Sequence, residues 1–160
     1  MWRLLWIALV VCVLDQGTKY FVTDFLLRHG EIRITPFLNL VLVHNTGAAF
    51  GFLSSASGWQ NGLFMFVAAG ACTFILWVLS RLRRQEIVLA VALMLILGGA
   101  LGNLVDRMLY GYVIDFIDVH YRNWHWPAFN VADSAISIGA VLLLLDTAFP
   151  GLWRKHPDSS

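Results

Sequence analysis

Gly98-Gly99-Ala100-Leu101-Gly102-Asn103-Leu104-Val105-Asp106-Arg107 decides how this chain is read. It closes an apolar run that begins at Ile87. About 20 residues, enough to cross a bilayer at ~1.5 Å per residue, thus end in an amide, a carboxylate and a guanidinium. Gly98 and Gly102 form a small-xxx-small pair, which implies close approach of a neighbouring helix and no chemistry of their own. Asn103 and Arg107 share a face at i,i+4, with Asp106 on the neighbouring turn. The donor fork of Arg107 suits a carboxylate elsewhere in the bundle; the plainer role is an interfacial anchor.

The rest of the chain has the same character. Its 160 residues are 59% hydrophobic and 13% charged, with a mean hydropathy of +0.70. A soluble domain carries roughly 25% charged residues. One membrane-embedded domain over 1–160 is expected, with spans near 4–22, 61–80, 87–107 and 131–149. Trp59, Trp77, Trp124, Trp126 and Trp153 fall near the proposed ends, as interfacial aromatics do. The net charge of +1, with no basic stripe, gives no argument for nucleic acid. Cys12 and Cys72 lie in apolar runs without a CxxC partner and read as small buried side chains. Arg3 and the apolar stretch 4–14 imitate a signal peptide, but no small-x-small cleavage site follows. The segment reads as a retained first helix with a polar far half.

Loop charges set the expected orientation. With the N-terminus inside, Arg3, Arg81, Arg83, Arg84, Arg154 and Lys155 lie on the inner side. Arg28, Arg33 and Arg122 lie on the outer side. The positive-inside rule then puts both termini in the cytoplasm and 23–60 and 108–130 outside it. Asp15 and Lys19, Asn103 to Arg107, and Asn130 and Asp133 all arrive near the outer face. In the outer stretch, Ile32-Arg33-Ile34-Thr35 alternates and 38–44 is rich in Leu and Val. Both read as short strands around Pro36, followed by a turn at Asn45-Thr46-Gly47. A small sheet on the outer surface and a short interfacial helix at 48–53 are expected.

Each polar group has a bland reading and a chemical one. Asp15 and Lys19 sit at i,i+4; for these two alone an ion pair that neutralises itself is the stronger reading. The alternative puts Lys19 at a site mouth, holding a carboxylate or a lipid head group. Asn130-Val131-Ala132-Asp133 has the form of a helix N-cap with an acid three positions on. Capping explains both residues locally. It does not explain the polar stripe Asn130, Asp133, Ser134 and Ser137 on an apolar helix, which must face protein or water. Asp115 lies in the apolar run 113–117, expected to dip to the membrane surface, where desolvation raises a carboxyl pKa. The 18 residues separating it from Asp133 let the loop fold back, so the two acids can meet and share a proton. His44, His120 and His125 lack metal-ligand spacing, and no metal or cofactor is expected. No serine-hydrolase motif is present. A small proton- or ion-coupled carrier also accommodates buried acids, but places them nearer the bilayer midplane.

Taken together, Asp15-Gln16-Gly17-Thr18-Lys19, Asn45-Thr46-Gly47-Ala48-Ala49-Phe50, the run from Gly98 to Arg107, Val113-Ile114-Asp115-Phe116 and Phe129-Asn130-Val131-Ala132-Asp133-Ser134 resemble the signature blocks of bacterial lipoprotein signal peptidase, signal peptidase II. Five blocks in the family's order span nearly the whole chain. The resemblance implies a four-helix aspartic endopeptidase of the bacterial inner membrane. Its substrates are prolipoproteins whose cleavage-site Cys carries diacylglycerol, cut just before that Cys among membrane lipids. It implies Asp115 and Asp133 as the catalytic pair. It implies Asp15, Lys19, Asn45, Asn103, Asp106, Arg107 and Asn130 as lining or supporting residues, and globomycin as inhibitor.

Overall fold

The computed structural model describes residues 1–47, 59–149 and 153. A short 3-10 turn leads into α1 (Leu5–His29). With α2 (Trp59–Arg81), α3 (Ile87–Tyr110) and α4 (Val131–Ala148) it makes four helices long and apolar enough to cross a membrane. Strands β1 (Ile32–Thr35), β2 (Leu38–Asn45), β3 (Val113–Tyr121) and β4 (Trp124–His125) form one antiparallel sheet in the order β1-β2-β3-β4. The helix expected at 48–53, and the basic Arg154 and Lys155, lie outside the described residues.

Two helices outrun their apolar spans. α1 continues past 22 to His29, because Asp24 and Arg28 stand one turn apart and pair at 2.8 Å on its exposed side. α3 continues past 107 to Tyr110.

α3 is the hub of the bundle. Half of its apolar window is buried, against 17% to 22% in the other three helices. Glycines make that possible. A Cβ at Gly98 would stand 2.7 Å from the Ala8 carbonyl oxygen of α1, and one at Gly139 of α4 would stand 2.6 Å from that of Ala92. Larger residues would force the helices apart. Away from the sheet, Ala8, Cys72, Ile75, Leu79, Ala90, Leu93, Met94 and Leu97 close an apolar core. The buried polar residues gather mostly at the opposite end, under the sheet.

The strands β1 and β2 flank Pro36 as the sequence pattern predicts. The run 113–117 differs from expectation: it is part of a nine-residue strand. Val113, Ile114, Asp115 and Phe116 are all buried, so neither face is left for polar residues and the period-two signal is erased. β3 pairs with β2, setting Val43 against Asp115 and Asn39 against Asp118. The chain then returns along β3. The Phe129 carbonyl accepts from the Phe116 and Ile117 amides, and the Phe129 amide donates back to Ile117. This return delivers Asn130 to the start of α4 beside Asp115.

Candidate active site

Two groups of acids stand on either side of Asn103. In the first, the Lys19 ammonium lies 2.8 Å from Asp15 Oδ2, 2.8 Å from Asp106 Oδ2 and 3.0 Å from Asn103 Oδ1. All three of its donors are used, and the residue is 2% exposed. Lys19 therefore stands inside the bundle and not at a site mouth. Asp15 Oδ1 also accepts from the Ala132 amide at 2.9 Å, tying α1 to the first turn of α4. Asp106 Oδ2 accepts from the Ile114 amide at 3.0 Å, tying α3 to β3. Gln16 Nε2 closes the group, donating to Asp106 Oδ1 at 2.8 Å and to the Gly102 carbonyl at 3.0 Å. Gly102 leaves the space: a Cβ there would stand 2.5 Å from Asp15 Oδ2. Only the i,i+4 half of this cluster carried a sequence signal; Gln16 and Asp106 arrive from 90 residues apart.

The second group is built on amides. Asp115 Oδ1 accepts from Asn130 Nδ2 at 2.7 Å, and its Oδ2 from Asn45 Nδ2 at 2.9 Å. Asp133 Oδ1 accepts from Asn103 Nδ2 at 2.8 Å, and its Oδ2 from the Asn130 amide at 3.3 Å. Asn130 Oδ1 in turn accepts from the Asp133 amide at 2.9 Å, completing a capping box on α4. Capping and site construction thus coexist: one asparagine touches both acids while starting the helix. Asn45 is oriented just as firmly. Its Oδ1 takes the Gly47 amide at 2.8 Å, which turns its amide nitrogen toward Asp115. Gly47 has φ of +83°, and a Cβ there would collide with the Phe64 ring.

These surroundings act on Asp115. Burial pushes its carboxyl from 3.8 up to about 6, against the pull of the Asn45 amide, and the charge of Asp133 adds to the rise. Arg107 does not supply the missing cation by contact. Its Nη1 lies 3.4 Å from the Asn103 carbonyl and its guanidinium sits over the Phe64 ring, and it forms no ion pair among the described residues. Further along β3, Asp118 accepts from Asn39 at 2.8 Å and meets His125 Nδ1 at 2.8 Å. Burial raises the Asp118 pKa, but these partners together outweigh it and hold the carboxyl below its ordinary value. Asn39 and Asp118 sit at a paired register position, and no sequence spacing announced them.

Each acid of the second group lines a cavity of its own. One, about 390 Å³, is lined by Trp126, Phe129, Asp133, Ser134 and Ser137. The other, about 250 Å³, is lined by Asn45, Thr46, Asp115 and Pro127 among others. A buried carboxyl and a half-buried one, each reachable from a cavity and both fixed by neutral donors, can transfer protons in both directions.

A family model described as signal peptidase (SPase) II matches residues 7–149. A lipoprotein signal peptidase of Pseudoalteromonas atlantica is 52% identical over 144 residues, covering 90% of this chain and 88% of its own. One of Acinetobacter baumannii is 50% identical over 161 residues, covering 99% and 90%. Two solved bacterial membrane enzyme structures, obtained by the in meso method, align with TM-scores of 0.83 and 0.80. The first is 29% identical and covers 100% of this chain and 96% of its own; the second is 31% identical and covers 92% and 93%.

Proposed function

The chain belongs to the signal peptidase II family, and on that premise we propose that Asp115 and Asp133 are the carboxylates that carry its reaction. It is a multi-pass membrane protease of the aspartic class that removes signal peptides from prolipoproteins. The carrier alternative finds no support in these matches. The observation that carries the assignment is Asn130, whose side chain donates to Asp115 and whose backbone amide donates to Asp133.

Asp133, half-buried and facing the larger cavity, takes a proton from water as the water oxygen bonds to the scissile carbonyl carbon. Asp115, whose burial favours the protonated form, gives its proton to the leaving nitrogen as the carbon–nitrogen bond breaks. A proton passing from Asp133 to Asp115 restores the pair. Asn45, Asn103 and Asn130 hold the two acids in register. The Lys19 cluster fixes Asn103, and Arg107, one helical turn from Asn103, is the donor we assign to a substrate carbonyl.

The cut falls just before a diacylglyceryl-modified Cys, with the lipid on the bilayer side. The enzyme lies in the bacterial inner membrane with both termini cytoplasmic, the side with six of nine loop Lys and Arg residues. The sheet end then faces outward, where signal-peptide cleavage sites emerge, and globomycin competes for the same groove.

Purified protein in detergent, incubated with a lipidated precursor, tests this by a size shift on a gel. Asp115→Asn and Asp133→Asn are each expected to slow cleavage by roughly 10³-fold or more, the scale of a lost general acid or base. Wild-type rates in either variant would overturn the pair, and cleavage insensitive to globomycin would overturn the inhibitor assignment.

A further inference from the structure

The two acid groups and their asparagines draw on α1, α3, α4 and the strands; α2 supplies none of them. The first turns of α2 nevertheless meet Arg107 twice. Asn61 Nδ2 donates to the Arg107 carbonyl at 3.2 Å. The Arg107 guanidinium carbon lies over the Phe64 ring, 5.3 Å from its centroid. Asn61 and Phe64 stand at i,i+3, so one face of α2 makes both contacts.

The ring contact differs from the other two of its kind among the described residues. Arg81 over Trp77 lies within α2, and Arg122 over Tyr121 joins chain neighbours. Arg107 over Phe64 joins two helices, so the fold itself sets the pair. The ring is also braced. A Cβ at Gly47 would collide with its Cδ2, Cε2 and Cζ. Gly47 therefore packs directly on the ring and limits its swing away from Arg107.

Where this guanidinium is held matters, because acids surround it. A guanidinium fork pairs readily with a carboxylate. Of the nearby acids, Asp133 exerts the strongest pull on the Arg107 charge. Arg107 still forms no ion pair among the described residues, and the Asp133 oxygens stay with Asn103 Nδ2 and the Asn130 amide. Its one acceptor there is the Asn103 carbonyl, 3.4 Å from Nη1 and long for such a bond. Most of the five N–H donors are thus unspent. A ring face attracts the cation without consuming them.

We infer that Phe64 is a positioning residue for the cleavage reaction. Its ring, backed by Gly47, holds the Arg107 guanidinium off the acids and leaves its N–H groups for the substrate backbone. This rests on the assignment of Arg107 to a substrate carbonyl. Without the ring, the fork swings to Asp133, pairs with it and masks the base.

Cleavage of a lipidated precursor by the purified protein in detergent tests this, with the unfolding midpoint followed alongside. Phe64→Leu keeps apolar bulk and loses the ring face. It is expected to lower kcat/KM by roughly 5- to 30-fold, the scale of a partly desolvated cation–π contact. Arg107→Gln is expected to lower it further. Adding Phe64→Leu to Arg107→Gln is expected to change nothing more, since the ring acts through the guanidinium. Fluorinated phenylalanines at position 64 keep the shape and drain the ring face. They are expected to lower kcat/KM in step with fluorine number while the midpoint holds. Wild-type kinetics in Phe64→Leu, equal losses from Phe64→Leu in both backgrounds, or a flat fluorine series overturns the positioning role. A wild-type rate in Arg107→Gln would instead overturn the assignment of Arg107, and the role of Phe64 with it.

Discussion

Asp15 and Asp106 on one side of Asn103, and Asp115 and Asp133 on the other, are chemically the same residues in opposite circumstances. The first pair shares one ammonium at 2.8 Å from each. Among the described residues, the four oxygens of the second pair accept hydrogen bonds from neutral amides alone. One ammonium offsets one of the two charges and, with the Ala132 and Ile114 amides, pins both carboxylates in fixed contacts. Amides fix geometry but do not remove the cost that burial puts on ionising Asp115, so its carboxyl takes up a proton more readily than an ordinary one. Asn103 is the boundary, its Oδ1 turned to Lys19 and its Nδ2 to Asp133.

Removing the cation tests the first half of this contrast most severely. Lys19→Met leaves two buried carboxylates uncompensated and is expected to cost about 3–5 kcal/mol of stability. Thermal unfolding in detergent reads this directly. Asp115→Asn and Asp133→Asn are expected to remove activity through chemistry and to move the unfolding midpoint far less. If Lys19→Met left the midpoint unmoved, the two pairs would not differ as described.

Cutting the boundary is expected to do less. Asn103→Leu removes the donor to Asp133 and an acceptor for Lys19, each worth roughly 1–3 kcal/mol when a buried group is left unmet. Because Asn103 positions Asp133, the expected signature is a fall in kcat of roughly 10- to 100-fold with KM little changed. A lowered midpoint with normal kcat would make Asn103 a packing residue only.

How much of this was legible in the sequence depends on the range of each signal. The four spans, the β1–β2 pair and the gathering of polar groups at one end follow from local composition and loop charge. So do the Asp15–Lys19 pair and the Asn130–Asp133 box, which lie within one helical turn. β3 was hidden because burial on both faces leaves no alternation. Lys19's second partner was hidden because Asp106 comes from another helix. The end of α1 was hidden because an exposed Asp24–Arg28 pair extends the helix after hydropathy has fallen. The candidate pair itself, Asp115 with Asp133, was reachable as a folded-back loop. Its three asparagines, Asn45, Asn103 and Asn130, were named as its supports only through the family resemblance, and their hydrogen bonds to the acids had no local signal because they come from three different parts of the chain.

The finest test concerns the proton itself. Asp115 ionises near 3.8 in the unfolded chain and near 6 in the folded one, chiefly through burial. The folded state therefore binds the extra proton between those values. Stability from this group is full below 3.8 and is lost as pH rises through 6. Asp118 has the opposite sign: its depressed pKa adds stability above 3.8 that is lost on acidification. Comparing wild type with Asp115→Asn at each pH cancels Asp118 and any offset from the new amide. Because detergent-unfolded chains keep some burial, the expected drift is about 1 kcal/mol, or a few degrees. The midpoint of wild type should fall relative to Asp115→Asn between pH 4 and pH 7. A rise, or parallel curves, would mean that the Asn45 and Asn130 amides overcome burial. Asp115 would then be ionised throughout, and the roles of the two acids would exchange.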